Sequence, residues 1–379
     1  MFLNFIYSFI PQSLKINWLL LFIAILLASI GCLFLYSAAG GSYDPWAKMQ
    51  LLRFLLGIVV FLYVSSMSLK FWLNYSYAIY LFSLILLVCV YIFGDTGMGA
   101  QRWLDLGFMR IQPSELMKFS LILLISKYYQ DEKEYTLLVK FASVIVILFF
   151  IFIPSYLIYL QPDLGGAIIL LLVGITVMFL IGISAWFFVF ATISIVFFSP
   201  IIWTYFLKEY QQNRILTFLD PLRDPLGAGY HIIQSKIALG SGGFWGKGFM
   251  KGTQSQLNFL PEMQTDFIFT LISEEWGMIG SICILLVYLL LITYCFIVGI
   301  ISNNYFGAFL SMGVGVILFY SVFINISMVM GLVPVVGVPL PLISYGGSSM
   351  ICNMFGLGLV SNTYINRNIN IERAKNSDL

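Results

Sequence analysis

The sequence predicts an all-α polytopic membrane protein: about ten transmembrane helices, with a long extracytoplasmic loop between the seventh and eighth. Three observations carry this. Of 379 residues, 60% are hydrophobic and only 9% charged, where a soluble domain carries roughly 25% charged. Apolar runs of spanning length, about 20 residues each, recur between polar breaks. Lysine and arginine collect in alternate short loops. So few charges cannot cover a water-facing surface, which excludes a soluble enzyme and a disordered chain. A net charge of +2 leaves no basic surface for nucleic acid.

The apolar runs place helices near 17–37, 48–66, 74–93, 113–129, 138–159, 166–182, 185–206, 267–299, 305–330 and 341–365. The first run lacks a small-residue cleavage site and reads as a retained span. Pro113 suits a first helical turn. The sixth and seventh runs are separated by little more than Gly182, Ile183 and Ser184. With the N-terminus inside, the cytoplasmic loops hold Lys15, Lys70, Lys127, Lys133, Lys140, Arg367, Arg373 and Lys375. The short outer loops hold only Lys48, Arg102 and Arg110. Both termini are therefore expected in the cytoplasm. The whole chain, 1–379, reads as one integral membrane domain, with 207–266 as the extracytoplasmic loop inside it. That loop is rich in Gly, Pro and charge, although residues 229–234 argue for partial order.

Histidine is scarce: His231 stands alone. A His-based metal site or a Ser-His-Asp triad is therefore not expected. All five cysteines lie in apolar runs without a CxxC pair and read as buried small hydrophobes.

Four polar clusters interrupt the apolar pattern, and charge at membrane depth demands a reason. The first spans 99–107 and continues through Gln112, Pro113, Ser114, Glu115 and Lys118. Glu115 and Lys118 share a helix face and can pair. That reads either as a packing ion couple or as a lysine facing an anionic ligand. The second, Gln161-Pro162-Asp163-Leu164-Gly165-Gly166, reads as a turn with Asp163 capping the next helix. The third, 258–269, leads into a helix that Thr265 or Asp266 can cap. Glu262, Asp266, Glu274 and Glu275 put four carboxylates within 14 residues, more than packing alone explains. The fourth comprises Asn325-Ile326-Ser327 and 337–349. Its Pro339, Pro341 and glycine pair suit irregular backbone lining a cavity, or close helix contact. The glycine-rich stretch 240–248 departs from a nucleotide phosphate loop, because Gly248 follows Lys247 where Ser or Thr is required. Lys247 there remains available to an anion.

These clusters, in this order, resemble the SEDS family (shape, elongation, division and sporulation proteins). The resemblance rests on Gly99–Trp103, Gln112–Glu115 with Lys118, Gln161–Gly165, Asp224–Tyr230 with Gln234-Ser235, Gly240–Gly243 with Gly246–Gly248, Gly252–Ser255, Phe259–Glu262 with Thr265–Phe269, and Pro334–Ser349. It runs from residue 99 to 349, most of the chain. Gly252–Ser255 and Asp224–Tyr230 favour the elongation branch over the division branch. Two positions depart from the family pattern. Gln264 stands where a histidine is common, and Gly166 where a threonine is common.

The resemblance implies a ten-helix peptidoglycan glycosyltransferase in the bacterial cytoplasmic (inner) membrane. Its substrate would be lipid II, a disaccharide-peptide on polyprenyl diphosphate, and its product β-1,4 glycan strands for elongation and rod shape. Implied partners are membrane lipid, a class B penicillin-binding protein transpeptidase, and the elongation proteins MreB, MreC and MreD. Asp266 matches the family's essential aspartate and is assigned as general base, in an inverting single displacement. A helix N-terminus is expected to hold its carboxyl low. Arg102 and Lys118 are assigned to the diphosphate, with Arg214 and Lys247 behind them and Glu115 orienting Lys118. A divalent cation (Mg or Mn) could assist, with Glu262 and Asp266 as candidate holders, although no ligand set compels it. Two other readings stay open: a lipid II flippase or other transporter, and a non-catalytic scaffold.

Overall fold

A computed structural model describes residues 16–97, 100–105, 107, 110–131, 137–225, 227–253 and 262–371. Lys15, Gly99, Lys133, Gln254, Ser255, residues 258–261, Arg373 and Lys375, all used above, lie outside the described residues.

Each expected span is a helix: α1 Trp18–Ala38, α2 Trp46–Ser66, α3 Leu69–Phe93, α4 Pro113–Asp131, α5 Leu137–Leu160, α6 Leu164–Leu180, α7 Ala185–Ile201, α10 Ile268–Ile300, α11 Tyr305–Val329 and α12 Gly347–Ile365. Between α7 and α10 lie α8 Glu209–Leu219 and α9 Ala228–Ser241. Six of these helices are long and apolar enough to cross a membrane: α1, α2, α3, α5, α10 and α11. The helices α6 and α7 are shorter apolar ones. The chain is a multi-pass membrane protein.

Local chemistry sets several ends. Asn17 caps α1, accepting from Leu20 N at 3.3 Å. Ser68 caps α3 through Phe71 N at 3.2 Å, so that helix starts at Leu69 rather than near 74. Asn304 caps α11 through Gly307 N at 2.7 Å. Each side-chain oxygen satisfies an amide that the helix leaves open.

Four expectations change. The all-α reading holds for the bundle, but a small antiparallel sheet joins α3 to α4: β1 Asp95–Gly97, β2 Ala100–Asp105 and β3 Arg110–Ile111. The seventh span does not continue as α-helix to 206; a π-helical turn covers Ile202–Phe206. The last helix begins at Gly347, not 341, because non-helical backbone occupies 331–346. Gly331, Gly337 and Leu342 have positive φ there. Among the cysteines, Cys295 and Cys352 are buried, whereas Cys283 is exposed.

The core explains why two of the ten are not strongly apolar. Met117, Phe119 and Leu121–Ile125 of α4 are all buried, beside buried Ser120 and Ser126. In α12, Leu357, Leu359 and Val360 are buried together with Ser361, Asn362 and Thr363. These helices face protein rather than lipid, so polar side chains there find partners. Asn362 donates to Val64 O and Ser65 O at 3.2 Å each. Close approach fixes one glycine: a Cβ at Gly356 would lie 2.1 Å from the Phe119 ring. By contrast, α7 has no buried residue; Trp186 and Phe190 are 79% and 73% exposed.

Candidate active site

The site forms at one end of the bundle, where the four polar clusters meet. Arg102 comes from β2, Gln112, Glu115 and Lys118 from the start of α4, and Asp163 from the start of α6. Arg214 comes from α8, and Glu262 and Asp266 from the turn before α10.

Asp163 caps α6 as expected, accepting from Gly166 N at 3.1 Å. It also reaches further. Arg102 Nη1 lies 3.9 Å from its Oδ1, and Gln112 donates to its Oδ2 at 3.5 Å. Arg102 donates in addition to Pro162 O. A Cβ at Gly166 would lie 2.6 Å from Asp163 Oδ2. The missing side chain therefore leaves Asp163 free to hold Arg102 and Gln112. Lys118 and Glu115 pair at 2.8 Å with side chains 8% and 11% exposed. A small cavity runs between them, Asp163 and the backbone of Gly337 to Pro339.

Asp266 sits across that backbone. A Cβ at Gly337 would lie 3.3 Å from Asp266 Oδ2, and Gly337 has φ +73°. The turn that carries Asp266 is fixed through its carbonyls. Tyr345 N donates to Gln264 O at 2.8 Å, and Ser344 Oγ to Thr265 O at 2.6 Å. Asn325 Nδ2 donates to Asp266 O at 3.0 Å and to Val338 O at 2.7 Å. One amide from α11 thus ties the aspartate to the 331–346 segment.

Neither Thr265 nor Asp266 caps α10. Phe267 occupies the cap without a side-chain bond, and Thr265 Oγ1 instead donates to Glu262 O and Oε2 at 3.1 Å each. The expected low carboxyl is likewise reversed. Burial first and the Glu262 charge second raise the Asp266 pKa to about 6, against the lowering pull of Arg102 and Arg214. Desolvation of a half-buried carboxylate exceeds what a helix end supplies. Arg214 is pulled below the ordinary arginine value by burial first, then by Arg102.

The other assigned residues separate. Lys247 donates to Glu274 Oε1 at 2.8 Å and to Thr253 at 2.7 Å. Glu275 accepts from Ser37. The four carboxylates of 262–275 therefore belong to different surroundings. The glycine run before Lys247 is a docking strip. Met278 N donates to Gly243 O at 2.9 Å and Gly248 N to Glu275 O at 3.0 Å, around a break in α10 at Gly277. Among the described residues no three His, Cys, Asp or Glu side chains gather as a metal cage. Glu262 and Asp266 supply two carboxylates, so a divalent cation there would take its remaining ligands from substrate phosphate and water.

Sequence reasoning passed over Asn325 as a clamp, Asp163 as a partner of Arg102, and Arg53. Arg53 lies in α2 with its guanidinium 4.5 Å from the Tyr345 ring centroid. An arginine inside an apolar run was itself the signal.

Comparison with known proteins finds relatives over nearly the whole chain. A family model for cell cycle proteins of the FtsW, RodA and SpoVE type matches residues 17–369. The chain is 41% identical over 349 residues to the peptidoglycan glycosyltransferase MrdB of Escherichia coli K12, covering 92% of this chain and 93% of that one. It superposes on a chain of a peptidoglycan synthase complex, solved to explain the coordination of polymerization and crosslinking, with a TM-score of 0.81. That match has 31% identity over 94% of this chain and 100% of that one. The rod shape determining protein RodA of Thermus thermophilus superposes with a TM-score of 0.71 at 25% identity, covering 95% and 100%.

Proposed function

Since the chain belongs to the FtsW/RodA/SpoVE family of cell cycle proteins, we propose that it is a peptidoglycan glycosyltransferase that polymerises lipid II into β-1,4 strands for cell elongation. The observation that carries the reading is the Asp266 carboxylate, poised near neutrality beside Arg102 and Arg214. A base must be ionised at working pH yet basic enough to take a proton, and a pKa near 6 meets both needs.

In the proposed step the acceptor 4-hydroxyl attacks the anomeric carbon of the donor sugar. Asp266 takes the hydroxyl proton as the new C–O bond forms. The bond from the anomeric carbon to phosphate breaks, and polyprenyl diphosphate leaves with the electron pair. One displacement inverts the α-linked donor to a β-linked product, so no carboxylate need act as nucleophile. Arg102 and Arg214 suit the charge that grows on the departing diphosphate. Lys118, held by Glu115, lines the adjoining cavity as a point charge. Lys247 pairs with Glu274 and serves the docking strip instead. A bound divalent cation would add charge at the diphosphate; Glu262 could hold it while Asp266 stays free to take the proton, whereas a cation on both carboxylates would remove Asp266 as base.

The same reading puts the chain in the bacterial inner membrane with both termini cytoplasmic and the site facing outward. It gives the chain a class B penicillin-binding protein as cross-linking partner, and MreB, MreC and MreD as neighbours. The test is strand formation from purified lipid II by wild type and Asp266→Asn, each with and without the transpeptidase, with lipid II binding followed in parallel. Strands from wild type alone with equal binding support the assignment. Equal strands from both remove Asp266 from the chemistry, and no strands from wild type even with its partner return the transporter reading.

A further inference from the structure

The break in α10 is filled by another part of the chain. An unbroken helix would carry bonds from Met278 N to Glu274 O and from Ile279 N to Glu275 O. Here all four groups pair with the strip instead. Met278 N donates to Gly243 O at 2.9 Å and Ile279 N to Phe244 O at 3.2 Å; Lys247 N donates to Glu274 O and Gly248 N to Glu275 O, at 3.0 Å each. The strip takes over the bonds that the helix gives up, so these backbone groups stay satisfied.

The fit is close. Gly277 has φ 66° and ψ −163°, a conformation that suits glycine alone. A Cβ at Gly246 would lie 2.1 Å from Glu275 O, and one at Gly242 would lie 2.0 Å from Ser273 O. The strip therefore lies against bare helix backbone. Lys247 adds a side-chain tie at 2.8 Å to Glu274, whose side chain is 1% exposed. The break also divides α10 by surroundings. Ile268–Glu275 is buried throughout, whereas Met278 and Ile279 beyond it are 51% and 41% exposed. The buried half begins directly after the turn that carries Asp266.

We propose that the strip is a splint for the proposed base: by filling the break it fixes the angle of the buried half of α10, and so where Asp266 stands, with Gly242, Gly246 and Lys247 as its positioning residues. The other end of this half is held by Asn325, Ser344 and Tyr345, at the carbonyls of 264–266. Asp266 lies eleven residues before Gly277, about 16 Å along a helix at 1.5 Å per residue. A change of about 20° at the break would carry the carboxylate about 5 Å, and a misplacement of about 1 Å is enough to slow a reaction. A strip that slips out lets α10 close its own bonds and straighten, because the broken backbone groups have partners in either arrangement. This rests on the polymerase reading, in which Asp266 is the base.

The test measures strand formation from lipid II by full-length protein with its transpeptidase, and lipid II binding alongside. Gly242 has an ordinary φ of −69°, so Gly242→Ala acts only by wedging the strip from Ser273. It should lower kcat by about 10²-fold, as a displacement of about 1 Å does, with KM and the fraction of protein that binds lipid II unchanged. In Gly240→Ala the added Cβ meets nothing within 4 Å, and kcat should stay within about twofold of wild type. Damage to the fold would instead lower the binding fraction together with kcat. If the Gly242 variant does not fold, Lys247→Met combined with Glu274→Gln decides. That pair alters no backbone and leaves no lone buried charge, and it should lower kcat by about tenfold at unchanged KM. Wild-type kcat in folded Gly242→Ala, or in the charge-free pair, overturns the proposal, and so does a parallel loss of binding. Failure of the polymerase reading is distinguishable: wild type itself would then form no strands with its partner present.

Discussion

At the scale of the residue, the environment of Asp266 is the reverse of what a helix entrance suggests, and the reversal suits the role of base proposed for it. Burial and Glu262 together raise its pKa to about 6. The proposed base is the ionised form, so kcat/KM for strand formation should rise as pH passes upward through about 6 and level off above it. An activity limb that stays flat from pH 5 to 7.5 would exclude this role. Asp266→Asn should reduce strand formation by about 10²- to 10⁴-fold with lipid II binding retained. The same shift has a stability consequence. The folded pKa lies above the ordinary aspartate value of 3.8, so ionisation is unfavourable in the fold. The penalty is absent below pH about 3.8 and fully present above about 6. Asp266→Asn should therefore raise the melting temperature at pH 7.5, with the difference shrinking as pH falls through that window. A variant that melts lower than wild type at pH 7.5 contradicts the account.

At the scale of the element, the segment 331–346 does what no single helix could: it brings backbone up to Asp266. Gly337 has φ +73°, and its Cα faces the aspartate carboxylate. Gly337→Ala should strain that backbone by about 1–2 kcal/mol and crowd the carboxylate, lowering kcat more than it raises KM. Unchanged kinetics in a folded variant would show that the contact does not matter. On α4, the Glu115–Lys118 pair is closed at 2.8 Å and nearly buried. Removing one partner leaves a lone buried charge, a loss of about 3–5 kcal/mol, while replacing both by neutral side chains costs much less. A double-mutant cycle on thermal melting of Glu115→Gln, Lys118→Met and the double variant reads this directly. Additive losses would mean the two side chains act independently.

At the scale of the whole molecule, two populations of helix share the bundle. Central α4 and α12 are covered by protein along most of their length, whereas α7 has no buried residue. Phe119→Ala, at the contact with Gly356, should cost about 3–5 kcal/mol by opening a cavity. Phe190→Ala on α7 should change the melting temperature in detergent by little, because that side chain is largely exposed. Comparable losses at the two positions would overturn this division. The polar clusters of four distant chain segments meet only because the intervening spans return them to one end.

Much of this was legible in the residues. The apolar runs gave the ten spans because lipid allows only helices to satisfy their own backbone. Asp163 as a cap and Glu115 with Lys118 as a pair followed from spacing within one helix or turn, where neighbours are fixed by covalent geometry. The assignment of Asp266 came from resemblance, since nothing local marks one carboxylate among four as special. What spacing could not decide was everything set across the bundle. Asn325 reaching Asp266 O and Val338 O, Arg102 turning to Asp163, and Lys247 captured by Glu274 are contacts between segments remote in the chain. The pKa of Asp266 depends on desolvation, which is a property of all surrounding atoms and of no sequence window. The sequence alone determined that the chain is a bundle of apolar helices and where those helices lie; only the packed bundle decided which polar groups meet at its end, and at what charge.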